Sequence, residues 1–222
     1  MNSRFVLVVE DDALLRELLA NVLEMQGFKV QTASNAADAK RAFRNGDPDG
    51  VVLDVDLGPG PNGFDLAQTI VHEAPETGIV FLTHFPDTRF ASSEGIEVPD
   101  GVAYLRKSAL SDLNRLFEAL DYAMRGNVTD DFRDDLDRHR PLANLTRKQI
   151  QILKLMSMGQ SNAQIAQKRG TTVKAVEEAV RRACLAIGVN SDTESNSRTA
   201  AVARFLSLST PQARQETFHD GN

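Results

Sequence analysis

The sequence has little of what a disulfide-stabilised or membrane-spanning protein needs. Its 222 residues include one cysteine, Cys184, so an intramolecular disulfide is excluded and the cytoplasm is the expected compartment. No apolar run approaches the roughly 18 residues of a transmembrane helix. Residues 1–4 lead directly into a strand-like run, so no signal peptide is expected. The length allows two modest domains, each with its own core.

Charge is distributed unevenly along the chain. Residues 1–125 contain 11 Lys and Arg against 20 Asp and Glu, a net charge of -9. Residues 126–141 carry -2, and residues 142–222 carry +5, with 11 basic against 6 acidic residues. An acidic first half and a mildly basic second half favour two domains, the second a candidate for binding a polyanion.

Short apolar runs alternate with amphipathic segments in the first half. Their β-branched content and their length predict buried strands over 5–9, 28–32, 51–53, 79–83 and 102–106. Apolar residues at helical spacing predict helices over 14–23, 36–43, 64–72 and 108–124. This alternation predicts an α/β doubly wound, five-stranded parallel sheet.

Polar residues follow four of these strands and should meet at one edge of the sheet, where the carboxyl ends of parallel strands lie together. They are Glu10 and Asp11, Asp54, Thr83, and Lys107. Crowded carboxylates favour a hard divalent cation such as Mg²⁺. An aspartate beside Mg²⁺, with a hydroxyl and an ammonium opposite, can accept a phosphoryl group. Taken alone, Asp54 could instead cap a local turn.

The first half resembles the flavodoxin-like receiver domain of two-component response regulators. The resemblance covers residues 4 to about 124 and rests on four pieces in the family's order and spacing: Val9-Glu10-Asp11-Asp12 with Arg16, Leu53-Asp54, Leu82-Thr83, and Tyr104-Leu105-Arg106-Lys107.

The resemblance implies a role for each matching residue. Asp54 is the expected phospho-acceptor, modified by a histidine kinase or a phosphotransfer protein. Glu10 and Asp11 form the acidic pocket, and Asp11, Asp54 and the main-chain carbonyl of Asp56 hold Mg²⁺. Thr83 and Lys107 bind the phosphoryl oxygens. Thr83 and Tyr104 transmit the change to the signalling face.

Several features depart from the receiver pattern. The loop from Asp54 to Gly63 looks one residue longer than usual, and two prolines stiffen it. His84 stands where the family usually has a small residue; it is either an exposed loop residue or a gate for access to Asp54. Residues 87–100 contain serines, glycine and proline, which form helices poorly. This stretch is either an order–disorder switch or simply a degenerate helix.

The charged stretch after the receiver predicts the domain limits. Five aspartates and three arginines between positions 126 and 140 are typical of a solvated connector. We therefore expect a receiver domain over 1–125, a linker over 126–142, an output domain over 143–210 and a disordered tail over 211–222.

The second half contains the pattern of an all-α tetrahelical domain. Apolar spacing and turn glycines predict helices from Leu145 to Gly159, over 162–169, over 173–187 and over 198–208. Two short helices around Gly170 indicate a helix-turn-helix. Residues 143–208 resemble the LuxR-type helix-turn-helix of NarL/FixJ response regulators, through Leu145-Thr146, Gly159-Gln160-Ser161-Asn162, Ile165-Ala166, Gly170, Val176 and Gly188-Val189. The loop over 190–197 looks longer than usual for this family.

The expected recognition helix departs from the LuxR pattern. Glu177 and Glu178 stand where phosphates and base edges of DNA would lie, and their charges should repel DNA. Four basic residues nearby could still contact phosphates, namely Lys168, Lys174, Arg181 and Arg182. The resemblance implies a dimeric, DNA-binding transcription regulator controlled by phosphorylation. The alternative is a regulator whose helix-turn-helix binds a protein partner. A separate enzymatic activity finds no support in the sequence.

Overall fold

The computed structural model describes residues 3–90, 98–189 and 194–209, apart from the side chains of residues 109 and 194–196. It divides into two compact units, Met1–Arg140 and Pro141–Asn222. The expected disordered tail over 211–222 lies outside the described residues, as does half of the predicted switch region, residues 91–97 of 87–100. Of that region, Thr88–Phe90 forms one 3-10 turn.

The first unit contains a five-stranded parallel sheet, as predicted. Its strands are β1 (Phe5–Val9), β2 (Lys29–Ala33), β3 (Gly50–Leu53), β4 (Gly78–Thr83) and β5 (Ala103–Arg106). The strand order is β2-β1-β3-β4-β5. In the register of the two central strands, Val9 lies beside Leu53. This register brings the residues that follow β1 and β3 to adjacent positions at one edge of the sheet.

Four helices cover the two faces of the sheet. They are α1 (Ala13–Met25), α2 (Ala36–Gly46), α3 (Gly63–Glu73) and α4 (Leu113–Met124). The core on one face includes residues of α2 and α3, and the core on the other includes residues of α1 and α4. Because both faces are covered, the inner strands β1, β3 and β4 are almost entirely apolar, which explains the continuous runs in the sequence.

Helix α4 begins later than its apolar pattern predicts. Residues Lys107–Ser111 form a 3-10 helix, and the α-helix begins only at Leu113. The side chain of Asp112 accepts a hydrogen bond from the main-chain N–H of Asn114 at 3.1 Å. An aspartate in this position caps the helix N-terminus, so the helix begins after Asp112 rather than at Ser108.

The charged stretch after α4 differs from the solvated connector expected from its composition. Residues 126–140 belong to the first unit. Phe132 and Asp135 are buried, and Arg115 binds the carboxylate of Asp134 at 2.7 Å. The charges of this stretch are therefore partly neutralised by partners on the sheet and on α4.

The described part of the second unit contains four helices, which agrees with the predicted fold. They are α5 (Arg147–Ser157), α6 (Asn162–Arg169), α7 (Val173–Ala186) and α8 (Glu194–Ser209). Helix α8 begins before the end of the loop that was predicted over 190–197. Cys184 is buried against this core, as its place on the apolar stripe of α7 predicts. In the described parts of both units, no helix is long and apolar enough to cross a membrane.

Candidate functional site

Three carboxylates meet where β1 and β3 end. Glu10, Asp11 and Asp54 each offer a ligand oxygen, and these oxygens all lie within 4.8 Å of one another. Glu10 and Asp54 are buried, whereas Asp11 is exposed. The main-chain N–H of Asp54 donates to the carbonyl of Val9 at 2.9 Å, which fixes the end of β3 against the end of β1. Such a set of oxygen ligands, open on one side, fits a hard cation such as Mg²⁺.

Lys107 supplies a positive charge to this pocket. Its Nζ atom lies 2.7 Å from Oδ2 of Asp54 and 2.8 Å from Glu10, and the side chain is almost fully buried. Lys107 directly follows β5, so it approaches the carboxylates from the far edge of the sheet. The sequence predicts Glu10, Asp54 and Lys107 at one edge of the sheet. The structure places Lys107 within hydrogen-bonding distance of both carboxylates.

Burial and crowding shift the protonation of the pocket. Burial, together with the nearby charge of Asp54, raises the pKa of Glu10 to about 7, although Lys107 opposes the shift. Burial also raises the pKa of Asp54. The pKa of Lys107 is raised despite its burial, because Asp54 and Glu10 stabilise its charged form. The pocket thus holds more negative charge than one lysine neutralises, which favours an added cation.

Main-chain and arginine contacts hold the ends of these strands in place. The N–H of Asp56 donates to Oδ1 of Asp54 at 3.2 Å. Nη1 of Arg16 donates to the carbonyls of Glu10 at 2.8 Å and Asp11 at 3.2 Å. The side chain of Asp12 caps α1 by accepting from the N–H of Leu15 at 2.8 Å. Asp12 therefore has a structural role as the N-cap of α1, next to the acidic residues Glu10 and Asp11.

Hydrogen bonds connect Thr83, at the end of β4, and Tyr104, in β5, to the loop that follows β4. Thr83 is buried, and its Oγ1 accepts from the N–H of Phe85 at 3.3 Å. The hydroxyl of Tyr104 donates to the carbonyl of Phe85 at 3.0 Å. Burial raises the pKa of Tyr104 well above its usual value. The tyrosine is held inward, in contact with the same loop as Thr83.

His84 follows Thr83 at the surface of the pocket. Its side chain is exposed overall. Desolvation of the ring lowers its pKa, as does the charge of Lys107, while Asp54 and Asp56 act in the opposite direction. His84 is therefore an exposed residue within the electrostatic reach of the acidic site.

Gly63, the first residue of α3, packs against the end of β3. The N–H of Gly63 donates to the carbonyl of Val55 at 2.9 Å, and a Cβ atom at position 63 would stand 2.1 Å from the carbonyl oxygen of Asp54. The glycine-rich and proline-rich composition of the loop between Asp54 and α3 was the available signal. The contact between Gly63 and Asp54 could not be derived from that composition.

The second unit presents a mixed charge pattern on the helix-turn-helix. Lys168, at the end of α6, is exposed, as are Lys174, Arg181 and Arg182 on α7. Glu177 and Glu178 are exposed on the same helix.

Glu178 is engaged within α7 itself. Its carboxylate accepts two hydrogen bonds from Arg181, at 2.9 and 2.8 Å. The hydrogen bonds from Arg181 lower the pKa of Glu178. This pairing engages Arg181, one of the two arginines expected to contact DNA phosphates.

A groove lies between parts of α5 and α7 in the second unit. Its volume is about 460 Å³, and its lining includes Lys148, Arg169 and Arg182 around Ile152 and Val176. Helix α5 begins with a capping box in which Thr146 and Gln149 bind each other's main-chain N–H groups. Gln149 therefore caps the helix without adding a negative charge to this basic rim.

Each of the two units matches a known protein family. Residues 6–121 match the family described as response regulator receiver domain, and residues 143–198 match the bacterial regulatory proteins of the luxR family. The oxygen regulatory protein NreC of Staphylococcus carnosus is 24% identical over 185 residues, covering 78% of this chain and 85% of the relative. NreC of Staphylococcus aureus strain RF122 is 24% identical over 204 residues, covering 85% and 93%.

Solved structures give the same picture at the level of the fold. A response regulator receiver protein from Sinorhizobium medicae has a TM-score of 0.50 and 26% identity, over 57% of this chain and 98% of that one. The two-component response regulator RcsB, in a complex with DNA, has a TM-score of 0.51 and 19% identity, over 94% of this chain and all of that one. The chain thus belongs to the response regulators with a receiver domain, and its second unit matches the luxR family of bacterial regulatory proteins.

Proposed function

We propose that Asp54 accepts a phosphoryl group from the phosphohistidine of a histidine kinase or a phosphotransfer protein. The carboxylate oxygen attacks phosphorus, the P–O bond forms as the P–N bond breaks, and the imidazole leaves with the electron pair and takes a proton. The observation that carries this proposal is the ammonium of Lys107 at 2.7 Å from the Asp54 carboxylate, at the end of the central strand. A positive charge in that place stabilises the equatorial phosphoryl oxygens in the transition state.

A divalent cation completes the proposed site. Glu10, Asp11 and Asp54 supply the acidic pocket for Mg²⁺, with the main-chain carbonyl of Asp56 as a further ligand. When bound, Mg²⁺ neutralises charge that develops on the transferred phosphoryl group. Of the remaining residues, Lys107 and the hydroxyl of Thr83 bind phosphoryl oxygens. Burial raises the pKa of both Glu10 and Asp54, and a bound cation would offset the cost of keeping these desolvated carboxylates charged.

Thr83 and Tyr104 transmit the change in this proposal. Reorientation of the Thr83 hydroxyl toward a phosphoryl oxygen disturbs its hydrogen bond with the N–H of Phe85. The carbonyl of Phe85 is also the acceptor for Tyr104, so the loop and the tyrosine respond together. Thr83 and Tyr104 are thus one two-state element, and phosphorylation shifts its populations.

The proposed output is DNA binding by a homodimer. We place the receiver at 1–140, with the charged stretch over 126–140 packed on it, and the output domain at 141–210. Lys168, Lys174, Arg181 and Arg182 contact DNA phosphates in this proposal. Their exposure and their grouping on α6 and α7 support it.

A second function is favoured by one observation on α7. Glu177 is exposed on the helix expected to enter the major groove, and Glu178 occupies Arg181. A surface with two carboxylates suits a protein partner with basic side chains better than it suits DNA. The alternative is therefore a response regulator whose helix-turn-helix binds a protein.

Mass spectrometry of the intact protein tests the acceptor. Incubation with acetyl phosphate and Mg²⁺ should add one phosphoryl group to the wild type and none to Asp54→Asn. Asp56→Asn is the matched control, because the proposal uses only the main chain of Asp56, and this variant should still gain one group. Equal modification of Asp54→Asn and the wild type would show that another residue is the acceptor.

A further inference from the structure

Residues 129–140, which we call the strap, are packed on the receiver unit although their composition is that of a linker. Phe132 is 7% exposed, and its ring lies 5.1 Å from that of Tyr122 on α4. Arg115 of α4 donates to the carboxylate of Asp134 at 2.7 Å and to the carbonyl of Asp131 at 2.6 Å. The strap is therefore fixed by one buried ring and a set of charge-assisted hydrogen bonds.

The strap also extends the sheet beyond β5. The main-chain N–H of Asp134 donates to the carbonyl of Tyr104 at 2.9 Å, and Arg133 pairs with Tyr104 in an isolated parallel bridge. The N–H of Arg106 donates to Oδ2 of Asp134 at 2.8 Å. The strap thus satisfies main-chain groups of the edge strand that carries Tyr104 and precedes Lys107.

The last residue of the strap is fastened to the loop after β4. Nε of Arg140 lies 2.7 Å from Oδ2 of Asp87. Asp87 is 4% exposed, and Arg89 also binds its carboxylate, with Nη2 at 2.6 Å from Oδ2. Arg140 ends the first unit, and the chain continues at Pro141 into the second. The ion pair therefore holds the point at which the receiver passes into the output domain.

Asp87 is connected to the proposed phosphorylation site through a short loop. Thr83 accepts from the N–H of Phe85, Tyr104 donates to the carbonyl of Phe85, and Asp87 follows two residues later. Any displacement of this loop shifts the carboxylate of Asp87 relative to Arg140. Hydrogen bonds between charged groups at 2.6–2.8 Å lose much of their strength when donor and acceptor are misaligned.

We propose that the Asp87–Arg140 ion pair is a latch that fastens the strap at rest and opens when Asp54 is phosphorylated. This inference rests on the proposed function, because it takes Asp54 as the acceptor and Thr83 as the group that moves. Opening of the latch leaves the strap with the buried ring of Phe132, the contacts of Asp134 and the hydrogen bond from Arg115 to the carbonyl of Asp131. Elements with so few buried contacts unfold locally at low free-energy cost. The linker into the output domain then gains freedom without any change in the receiver core.

Hydrogen exchange of the full chain, read by mass spectrometry, tests the latch at rest. Arg140→Gln should raise the exchange rate of the 129–140 peptide about tenfold over the wild type. Arg138→Gln is the matched control, because Arg138 is exposed on the same strap, and it should leave the rate unchanged. Unchanged protection of β1 and β3 in Arg140→Gln verifies that the variant is folded. If both variants match the wild type, the ion pair does not fasten the strap and the proposal is wrong.

Activation of the same samples tests the coupling. Beryllofluoride with Mg²⁺ should raise strap exchange about tenfold in the wild type, bring it to the level of Arg140→Gln, and have no effect in Asp54→Asn. Intact mass after acetyl phosphate separates the two hypotheses. If Asp54 is not modified, the proposed function fails, and the coupling fails with it. If Asp54 is modified and strap exchange stays at the resting rate, the latch alone is overturned.

Discussion

Gly63 lies directly against the main-chain carbonyl of Asp54. A Cβ atom at position 63 would meet the carbonyl oxygen of Asp54 at 2.1 Å and Cα of Val55 at 2.9 Å. The first residue of α3 is thereby packed on the end of the central strand, although eight residues separate the two in sequence. This close approach ties the shape of the long loop to the position of the proposed acceptor.

Replacement of Gly63 by alanine should destabilise the receiver unit by about 3 kcal/mol or more, because the backbone atoms that it meets cannot yield as side chains do. Both tyrosines of the chain, Tyr104 and Tyr122, lie in the first unit, so their fluorescence during urea unfolding reports that unit alone. Gly27→Ala is the control. Gly27 has a φ of 88° and open space around it, so only the left-handed strain of about 1–2 kcal/mol is expected there. Equal losses in the two variants would mean that the contact with Asp54 costs no more than left-handed strain, and would contradict the expected clash.

Lys107→Met should destabilise the receiver unit by about 3 kcal/mol, because it leaves two buried carboxylates without their counter-charge. The loss is limited because Glu10, with a pKa of about 7, can take up a proton. Lys40→Met, at an exposed lysine of α2, should change the free energy of unfolding by less than about 0.5 kcal/mol. Urea unfolding monitored by tyrosine fluorescence measures both. A Lys107→Met variant as stable as the wild type would contradict the buried ion-pair network.

The sequence predicts the parts of the site that depend on single strands. Asp54 and Lys107 each directly follow a strand, and the topology of a parallel sheet brings such residues to one edge. The sequence does not predict that Lys107 reaches Glu10 as well as Asp54, because that contact depends on the register of four strands. Nor does local pattern predict the start of α4, where the capping Asp112 overrides the apolar periodicity.

The strap shows why composition alone was insufficient. Residues 126–140 contain eight charged side chains, and such a run is usually solvated. Its partners Asp87 and Arg115 are 53 and 19 residues away from Arg140 and Asp134, so no local pattern reveals the pairing. Its apolar residues Val128, Phe132 and Leu136 were the available signal of packing, and of these Phe132 is buried.

The Asp87 carboxylate makes the stability of the ion pair with Arg140 depend on pH in a predictable direction. Burial opposes its ionisation, but hydrogen bonds from Arg89 and Arg140 hold the pKa of Asp87 below its ordinary value of 3.8. A carboxyl with a lowered pKa in the folded state stabilises that state above the unfolded-state pKa, and this stability is lost as pH falls through the folded-state pKa. The free energy of unfolding of the wild type minus that of Asp87→Asn should therefore be constant from about pH 7 to 5 and shrink below about pH 4.

Urea unfolding at a series of pH values measures this difference. Asp131→Asn is the control, since Asp131 is exposed on the same strap, and its difference from the wild type should stay small throughout. A difference for Asp87→Asn that grows as the pH falls would contradict the assigned ion pairs.

The recognition helix gives a prediction about DNA, because fold and charge disagree there. Glu177 is exposed, and Glu178 holds Arg181 with two hydrogen bonds. Specific binding needs several phosphate contacts and a few base contacts, each base contact contributing about 1–3 kcal/mol. The two glutamates reduce both kinds of contact. We expect weak, strongly salt-dependent DNA binding by the wild type, since the remaining lysines and arginines act through counterion release.

The variant Glu177→Lys with Glu178→Asn should strengthen binding and steepen its salt dependence, because it adds one cation and frees Arg181. Glu17→Lys with Glu24→Asn, at exposed positions of α1, makes the same change in net charge away from the helix-turn-helix and should have little effect. Fluorescence anisotropy with random-sequence and native upstream duplexes at two salt concentrations measures all three proteins. If the wild type binds a native site in the nanomolar range and the α7 variant abolishes that binding, the glutamates read bases, as a carboxylate can do by accepting from cytosine N4. The protein-partner alternative would then be wrong.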